Sequence, residues 1–413
     1  MEKLSTNPYK GARDFFPADK KIANYIFNTW RKVCESYGFE EYDGPFLENT
    51  EIYEAKSGEE LVNEQLYSFT DKGDRRVAIR PEMTPTVSRM VASKYQQLPK
   101  PIKWFSIANF WRYEKPQRGR LREFYQLNAD IFGIDSITAD FEILSLNRAI
   151  MDQFKATPSM YEVRVNNRKY INFVLDQSGI NTGENRVKIL KILDSKDKIL
   201  KEEFDKRIDE TGIQNEQKIT LLKYLSVDIK ALNEIKSEGA KELIQLFNLL
   251  KLAKIDENIV FDPYTVRGLA YYDGTIFEQK DLNPKNNRSM FGGGRYNGLI
   301  GLFINTDVPA VGFAQGDVPI KLFLESWDLL PQFENDIDYL VTVFPSENPI
   351  FFEKSQQIAT KLRQKGKDIE VYLNTNTTLS KQLEYASKKG IKKVIIIGQD
   401  EIDKDTYTEK IIE

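Results

Sequence analysis

The sequence predicts an α+β fold followed by a smaller α/β unit, and three observations lead to this prediction. Polar and apolar residues alternate in the stretch 110–133, as in two antiparallel strands joined by a loop. Residues 181–256 are rich in Lys, Glu, Leu and Ile, contain no proline, and predict four or five helices. Residues 337–413 follow a β-α-β-α-β pattern. A chain of 413 residues is too long for one typical core, so we expect two or three domains.

The composition narrows the chemistry that the chain can perform. There is no histidine, which removes the commonest general base and metal ligand and leaves carboxylates, arginines, tyrosines or a bound metal. A single cysteine, Cys34, excludes an internal disulfide and makes a cysteine-based zinc site implausible. The net charge is −3, so any nucleic-acid surface must be a local basic patch. No apolar run is typical of a signal peptide or a membrane helix, and we therefore expect a cytoplasmic location.

The first elements follow from spacing and from their start and stop residues. Apolar residues at helical spacing predict a helix over 19–37, between Pro17 and Gly38, and a strand follows it. Residues 56–76 are expected to be loop-like and charged around a short Y-S-F-T segment, with D-K-G-D as a turn. The next helix continues to about Tyr95, and Thr84 is a candidate cap because Pro85 suits the first helical position.

The hairpin at 110–133 has one apolar face and one polar face. The polar face of its second strand carries Phe124, Gln126, Asn128 and Asp130, and Arg112 and Glu114 are expected to share a face of the first strand. The connecting loop supplies four cations, which are Lys115, Arg118, Arg120 and Arg122. Such a face would hold a small molecule that carries both a phosphate and an amine. The alternative is an amphipathic hairpin with a solvated tip, and local spacing does not separate the two interpretations.

The rest of the chain alternates between helices and strands. After the hairpin we expect a helix capped by Ser136 or Thr138, a strand at 161–166 and a helix at 167–179 that ends at Gly179. Strands return from residue 259. The glycines at 292–294 predict either a close approach of the backbone to a ligand or a plain hairpin turn. The stretch 307–318 predicts a strand that leads into a helix. The last elements are expected at 339–344, 349–365, 369–373, 379–389 and 393–398.

Several motifs carry a resemblance to a known family. The segment F-W-R-Y-E…G-R-L-R-E-F-Y-Q resembles motif 2 of the class II aminoacyl-tRNA synthetases. V-R-G-L-A-Y-Y-D-G-T-I-F-E at 266–278 and F-G-G-G-R-Y-N-G-L at 291–299 resemble segments of the histidyl-tRNA synthetase family. K-G-A-R-D-F-F-P at 10–17 and L-S-K-Q-L-E-Y-A-S-K-K-G at 379–390 match in the same order. The resemblance therefore covers nearly the whole chain.

The resemblance implies a class II synthetase-like antiparallel sheet with helices, a helical insertion, and a C-terminal α/β anticodon-binding domain. The expected organisation has a catalytic domain in two parts, 1–180 and 257–327, around a helical insertion at 181–256. A linker at 328–336 leads to the anticodon-binding domain at 337–413, whose end we expect to be shortened. The helix at 19–37 and the strand after it resemble motif 1, which implies a homodimer.

The implied reaction joins histidine to ATP as histidyl-adenylate and then transfers it to the 3′ end of tRNA(His). ATP acts with Mg²⁺ as a co-substrate, and the resemblance implies no zinc, haem or flavin, no membrane and no DNA. The expected catalytic residues are Arg112 and Arg267. Histidine is expected to contact Glu82, Met83, Thr84, Arg112, Gln126, Asp130, Arg267, Tyr271 and Tyr272. ATP is expected to contact Arg112, Glu114, Arg120, Phe124 and Gly316. The acceptor end of the tRNA is expected to contact Gln117 and Arg118.

Two departures from the family pattern keep other functions open. Ala270 replaces an aspartate of the family, and Pro319 stands where motif 3 has an arginine that holds ATP. We expect Lys321 or Arg295 to compensate, assisted by Asp317. The main alternative is a non-catalytic, histidine-sensing regulatory subunit of ATP phosphoribosyltransferase. A tRNA-binding module without catalysis is a third interpretation, which rests on Pro319 alone.

Overall fold

A computed structural model describes residues 3–55, 61–267, 271–286 and 289–412 of the chain. The chain divides into two compact units, Met1–Leu330 and Pro331–Glu413. The first half of unit 1 contains these elements: α1 (Pro17–Ser36), β1 (Glu40–Glu41), β2 (Leu47–Asn49), α2 (Glu51–Glu54), β3 (Ser68–Thr70), β4 (Arg76–Ile79), α3 (Thr84–Lys94), β5 (Ile102–Trp111), β6 (Glu123–Phe132), α4 (Ile137–Gln153), β7 (Tyr161–Asn167) and α5 (Arg168–Gln177).

The second half of unit 1 begins with a helical segment and returns to the sheet. The helices are α6 (Gly183–Ser195), α7 (Lys201–Glu210), α8 (Asn215–Leu225) and α9 (Glu238–Leu252). The remaining elements are β8 (Ile259–Phe261), β9 (Thr275–Asp281), β10 (Ser289–Arg295), β11 (Ala310–Gly316) and α10 (Asp317–Ser326). The helical segment shares one continuous hydrophobic core with the sheet. The finer boundaries within unit 1 stay a prediction.

An eight-stranded sheet organises unit 1, in the order β1-β5-β6-β11-β10-β9-β7-β8. The two outermost pairs, β1–β5 and β7–β8, are parallel, and the inner pairs are antiparallel. The α+β prediction and the class II-like antiparallel sheet are therefore confirmed. Because side chains alternate along a strand, one face of this sheet receives the helices and the other stays open to a site.

The helix-covered face is held by an apolar layer. Ile26 and Trp30 of α1 are buried, as are Leu127 and Ala129 of β6. The Trp30 indole Nε1 donates a hydrogen bond of 2.5 Å to Gln315 Oε1 on β11, which satisfies the polar atom of this ring inside the core. α1 thus forms where its spacing predicts, and its apolar face lies against the chain's own sheet.

The observed elements confirm one of four sequence-based expectations about local structure and contradict the other three. Ser136 is the cap of α4, since its hydroxyl accepts from Thr138 N, so the first of the two candidate caps is right. The cap expected at Thr84 is wrong, because Thr84 is itself the first residue of α3. The first hairpin strand ends at Trp111, so Glu114 lies in the loop and shares no strand face with Arg112. The hairpin-turn alternative for residues 292–294 is also wrong, because these glycines lie inside β10.

Unit 2 is a small α/β structure. It contains β12 (Tyr339–Val341), α11 (Ile350–Gln364), β13 (Ile369–Val371), α12 (Leu379–Lys389), β14 (Lys393–Ile396), α13 (Gln399–Asp403) and β15 (Thr408–Ile411). The strand order is β13-β12-β14-β15, with parallel pairing except between β14 and β15. The β-α-β-α-β prediction is confirmed, and β15 is an addition that the apolar pattern did not indicate.

Candidate active site

The open face of the sheet presents a row of glycines beside charged groups. In the strand register, Asp130 on β6 lies opposite Gly312 on β11, which in turn lies opposite Gly294 on β10. A Cβ atom at position 312 would lie 1.9 Å from the Asp130 carboxylate oxygen Oδ1, so only glycine fits there. The centre of the open face is therefore formed by glycine backbone, which we call the glycine floor. Side chains from the surrounding elements reach over this floor.

A cluster of tyrosines and carboxylates stands on this floor. The Tyr271 hydroxyl donates to Glu82 Oε2 at 3.1 Å, and it also interacts with the hydroxyl of Thr84. The Tyr296 hydroxyl donates to Asp130 Oδ1. The rings of Tyr271 and Tyr296 lie 5.8 Å apart edge to face. Glu82 from the loop before α3 and Asp130 from β6 are thereby brought into one pocket.

Burial sets the protonation of this cluster. Burial raises the pKa of Asp130 to about 7, although the hydrogen bond from Tyr296 acts in the opposite direction. Burial also raises the pKa of Tyr272 to about 12 and places the pKa of Tyr271 well above its ordinary value. The tyrosines remain neutral donors near neutral pH, and Asp130 accepts a hydrogen bond readily whether or not it is ionised.

Arg267 lies flat against the glycine floor. Its Nη1 donates to Glu278 Oε1 at 3.0 Å, and a Cβ at Gly292 would lie 2.4 Å from the guanidinium carbon Cζ. Its backbone has a φ of +53°, a sparsely populated conformation for a residue with a side chain. Burial lowers the pKa of Arg267, but Glu278 together with the neighbouring Tyr272, Asp194 and Tyr271 outweighs burial, and the net pKa is raised. Among the described residues, its buried Nε has no hydrogen-bond partner.

Arg112 connects the tyrosine cluster to the hairpin. Its Nε donates to the Pro81 carbonyl at 2.9 Å, directly before Glu82 in the chain. Its guanidinium carbon lies 5.3 Å from the centre of the Phe124 ring, a cation–π contact. An adenine base on Phe124 and a phosphate on Arg112 would therefore lie next to the pocket that holds Glu82.

The hairpin loop is more open than the pocket. Glu114 and Arg120 form an ion pair of 3.0 Å, with the Arg120 side chain 57% exposed. Gln117 and Arg118 are exposed in a turn closed by backbone hydrogen bonds between residues 117 and 120. The side chains of Gln117, Arg118 and Arg120 are accessible to phosphates or to nucleic acid, and the ligands assigned to them and to Glu114 stay predictions.

The other expected contact residues occupy distinct positions. Gln126 is partly exposed on the open face, opposite Gly316, which is the residue before α10. Met83 is fully buried in the core, so its side chain is not presented to a ligand in this structure. Ala270 lies outside the described residues. Tyr296 was not among the expected site residues, although it belongs to the F-G-G-G-R-Y motif.

The region of Pro319 departs from expectation. Arg295 does not face the nucleotide side, because its guanidinium is buried on the helix-covered face, where it pairs with Asp140 and donates to the Ile134 carbonyl at 2.9 Å. That expectation is wrong. Asp317 does hold a cation, but the cation is Arg13, and Asp317 Oδ1 also accepts from Tyr125 N at 2.9 Å. Lys321 Nζ lies 3.6 Å from the carboxylate of Asp19.

No group of three or more Asp, Glu or Cys side chains is placed to hold a metal ion within the described ranges. None of the described helices is long and apolar enough to cross a membrane.

An antiparallel sheet whose open face carries two arginines and an acidic pocket, followed by a separate α/β unit, defines a class II aminoacyl-tRNA synthetase. The family model of histidyl-tRNA synthetase matches residues 11–316, and the model of an anticodon binding domain matches residues 340–411. The chain belongs to the histidyl-tRNA synthetase family. It is therefore a ligase of the aminoacyl-tRNA synthetase type.

Curated relatives agree over nearly the full length. A histidine–tRNA ligase of Leptospira biflexa is 43% identical over 99% of this chain and 94% of its own. The chloroplastic/mitochondrial histidine–tRNA ligase of Arabidopsis thaliana is 35% identical over 100% of this chain and 84% of its own.

Two solved structures share the fold at 22% identity. Histidyl-tRNA synthetase from Nostoc sp. PCC 7120 gives a TM-score of 0.80 over 99% of this chain and 97% of its own. A Bacillus halodurans protein described as ATP phosphoribosyltransferase regulatory subunit/histidyl-tRNA synthetase gives 0.78 over 96% of this chain and 99% of its own. At this identity the likeness concerns the fold alone.

Proposed function

We propose that this protein activates histidine with ATP to form histidyl-adenylate and pyrophosphate, and then transfers histidine to the 3′ end of tRNA(His). The observation that best supports this function is that two arginines lie beside one acidic pocket. Arg112 reaches it from the hairpin through Pro81, and Arg267 lies on the glycine floor beside Tyr272. This arrangement suits a substrate with a carboxylate, an ammonium group and a neighbouring triphosphate.

In the first step, the histidine carboxylate attacks the α-phosphorus of ATP, and the bond to pyrophosphate breaks. The pentacovalent transition state gathers negative charge, so fixed cations aimed at it lower the barrier. Arg112 and Arg267 supply these charges from two sides. The unpartnered Nε of Arg267 among the described residues is the group that we assign to a phosphate or carboxylate oxygen.

The acidic groups select histidine. Glu82, backed by the Tyr271 hydroxyl, takes the substrate ammonium. Asp130, backed by Tyr296, accepts an imidazole N–H, with Gln126, Thr84 and Tyr272 completing the pocket. An amino acid without the imidazole nitrogens would leave the buried Asp130–Tyr296 pair without the hydrogen bond that histidine donates to it. We therefore expect the pocket to discriminate strongly against such an amino acid.

ATP lies along the hairpin in this proposal. Adenine stacks on Phe124, Glu114 accepts from the base, Arg120 contacts the outer phosphates, and Gly316 lets the backbone come close. Mg²⁺ arrives with ATP as a co-substrate, where it supplies charge neutralisation for the phosphates. Gln117 and Arg118 contact the acceptor end of the tRNA.

The remaining parts of the proposal concern partners and location. Unit 2 contacts the anticodon arm of tRNA(His), in keeping with the family model that it matches. Two copies associate through the region of α1 and the strand after it. The enzyme works with the other components of translation, in the cytoplasm.

The regulatory-subunit alternative has less support than the ligase. The curated relatives cited above are named as ligases, and the chain keeps Arg112, Arg267 and unit 2. Histidine-dependent exchange of pyrophosphate into ATP by the purified protein is the deciding experiment. We expect exchange that requires histidine. No exchange at saturating ATP would overturn the ligase and favour the regulatory subunit.

A further inference from the structure

One carboxylate of the helical segment of unit 1 contacts cations on the open face of the sheet. Asp197 lies in the turn Lys196–Lys198, directly after α6. Its Oδ2 accepts from Arg164 on β7 and from Lys280 on β9. Both cations belong to neighbouring strands of the catalytic sheet, so one carboxylate from the helical segment connects two strands.

The contacts continue from Asp197 to the arginine that we assign to catalysis. Lys280 Nζ lies 3.7 Å from Glu278 Oε2, on the same strand, and Glu278 Oε1 lies 3.0 Å from Arg267 Nη1. The order is therefore carboxylate, ammonium, carboxylate, guanidinium. Lys280 is 15% exposed and Glu278 is 22% exposed, so these charges interact with little screening by water.

Lys280 lies between two carboxylates and is bonded closely to only one of them. It donates to Asp197 and stays at 3.7 Å from Glu278, which leaves Glu278 bonded to Arg267. A cavity of about 30 Å³ borders Asp197, Lys280, Glu278 and Arg267, room for about one water molecule. An ammonium released by Asp197 has space to move toward Glu278.

We propose that Asp197 is a positioning residue for Arg267, and that it acts by keeping Lys280 away from Glu278. Without Asp197, Lys280 pairs fully with Glu278 and competes with the guanidinium for the same carboxylate. Arg267 then loses the contact that holds it against Gly292. This inference rests on the proposed role of Arg267, and it assigns to the helical segment a share in the adenylation step.

Three variants test the inference in the full chain by histidine-dependent ATP–pyrophosphate exchange. Asp197→Asn is expected to lower turnover by about 2- to 30-fold, the range of coupling typical for residues that act through a network. Lys280→Gln alone is expected to stay near the native rate, because Glu278 then has Arg267 as its one partner. The double variant is expected to recover most of the loss, because the competing cation is gone. Glu184→Gln, which removes the exposed Glu184–Lys188 pair of α6, is the matched control and should have no effect.

Arg267→Ala measured in parallel separates the two levels of the argument. If Arg267→Ala exchanges at the native rate, the proposed role of Arg267 fails. If Arg267→Ala is impaired while Asp197→Asn is native-like, the inference about Asp197 is overturned and the role of Arg267 stands. A loss in Asp197→Asn that Lys280→Gln does not relieve also overturns it, because plain destabilisation would give that result. A crystal structure of Asp197→Asn is expected to show Lys280 Nζ within hydrogen-bond distance of Glu278.

Discussion

Asp130 is buried in the proposed histidine pocket, and its raised pKa makes the stability of the protein depend on pH. The folded protein raises its pKa to about 7, whereas an aspartate in an unfolded chain titrates near ~3.9. The folded state thus binds the proton more tightly. The contribution of Asp130 to stability is fully present below about pH 4 and is lost as the pH rises through about 7.

Asp130→Asn tests this pH dependence, because an amide does not titrate. Between pH 4 and pH 8 the native protein is expected to lose more stability than the variant, by a difference on the order of 1–3 kcal/mol. Urea denaturation at both pH values measures the two free energies of unfolding. Tyr296→Phe serves as a second variant, since loss of the donated hydrogen bond raises the pKa of Asp130 further. Parallel pH profiles for the native protein and Asp130→Asn would contradict the account.

Arg267 is the residue on which the adenylation proposal depends most. Arg267→Ala is expected to lower the turnover of pyrophosphate exchange by ~10²–10³, the usual cost of removing one fixed transition-state donor. Histidine binding, measured by calorimetry, should change little. Arg267→Lys should recover only part of the rate, because lysine lacks the planar fork. Adenylation by Arg267→Ala near the native rate would show that the assignment is wrong.

At the residue scale, sequence motifs identify residues but not their contacts. Arg112, Arg267, Glu82 and Asp130 lie in recognisable segments, and the structure brings them to one face. Arg13 pairs with Asp317 across 304 residues of sequence. Local spacing contains no signal for such a pair, because it depends on how distant elements pack. For the same reason, the sequence did not indicate Tyr296 as a site residue. It also suggested a nucleotide-binding role for Arg295, which the burial of Arg295 excludes.

At the scale of elements, β10 shows why a strand can be mistaken for a turn. Three consecutive glycines remove the alternation that marks a strand, and turns also favour glycine. The neighbouring strands decide the outcome, because β9 and β11 pair with β10 on both sides. Elements with clear apolar spacing, such as α1 and β6, were predictable without this context.

Gly292→Ala tests the purpose of the glycine in β10. The added methyl group would lie 2.4 Å from Arg267 Cζ, so the guanidinium must move. We expect turnover in pyrophosphate exchange to fall by at least about tenfold. On a free-energy scale, this is about half the loss that follows when such a donor is removed altogether. Gly183→Ala is the control, because nothing lies within 4 Å of the added atom there. An unchanged rate in Gly292→Ala would argue against the flat placement of Arg267.

The start of α10 bears on how ATP is held without a motif 3 arginine. Pro319 supplies neither a cation nor an amide hydrogen. We expect the Arg13–Asp317 pair to fix this turn, so Arg13→Ala and Asp317→Ala should raise the Michaelis constant for ATP about tenfold, equivalent to ~1.4 kcal/mol. ATP saturation curves measure the effect. Lys321→Ala is the comparison, and a larger change there would assign compensation to Lys321 instead.

For the whole molecule, the proposal of a dimer is tested by mass. Several apolar side chains near the start of the chain are exposed, among them Phe46 at 41%, Leu47 at 45% and Phe69 at 49%. A second copy would cover such a surface. Light scattering at micromolar concentration is expected to give about twice the chain mass of 47.9 kDa. A monomer that still charges tRNA would contradict the dimer.

The whole-molecule prediction succeeded where many motifs occurred in order along the chain. Fold class and family followed from that order, and both are confirmed. The separate helical domain stays a prediction, and α9 packs against α4, α5 and β7 within one core. Amphipathic spacing predicts the helices but does not say which partner their apolar faces meet.

The backbone floor also limits how this enzyme can diverge. The space that a side chain at 292 or 312 would need is already taken by the guanidinium of Arg267 and the carboxylate of Asp130. A single substitution in the floor therefore removes an existing contact before it creates a new one. Under the proposed roles of Asp130 and Tyr296, a change of amino-acid specificity requires a substitution at one of these two residues, and that substitution weakens the original activity.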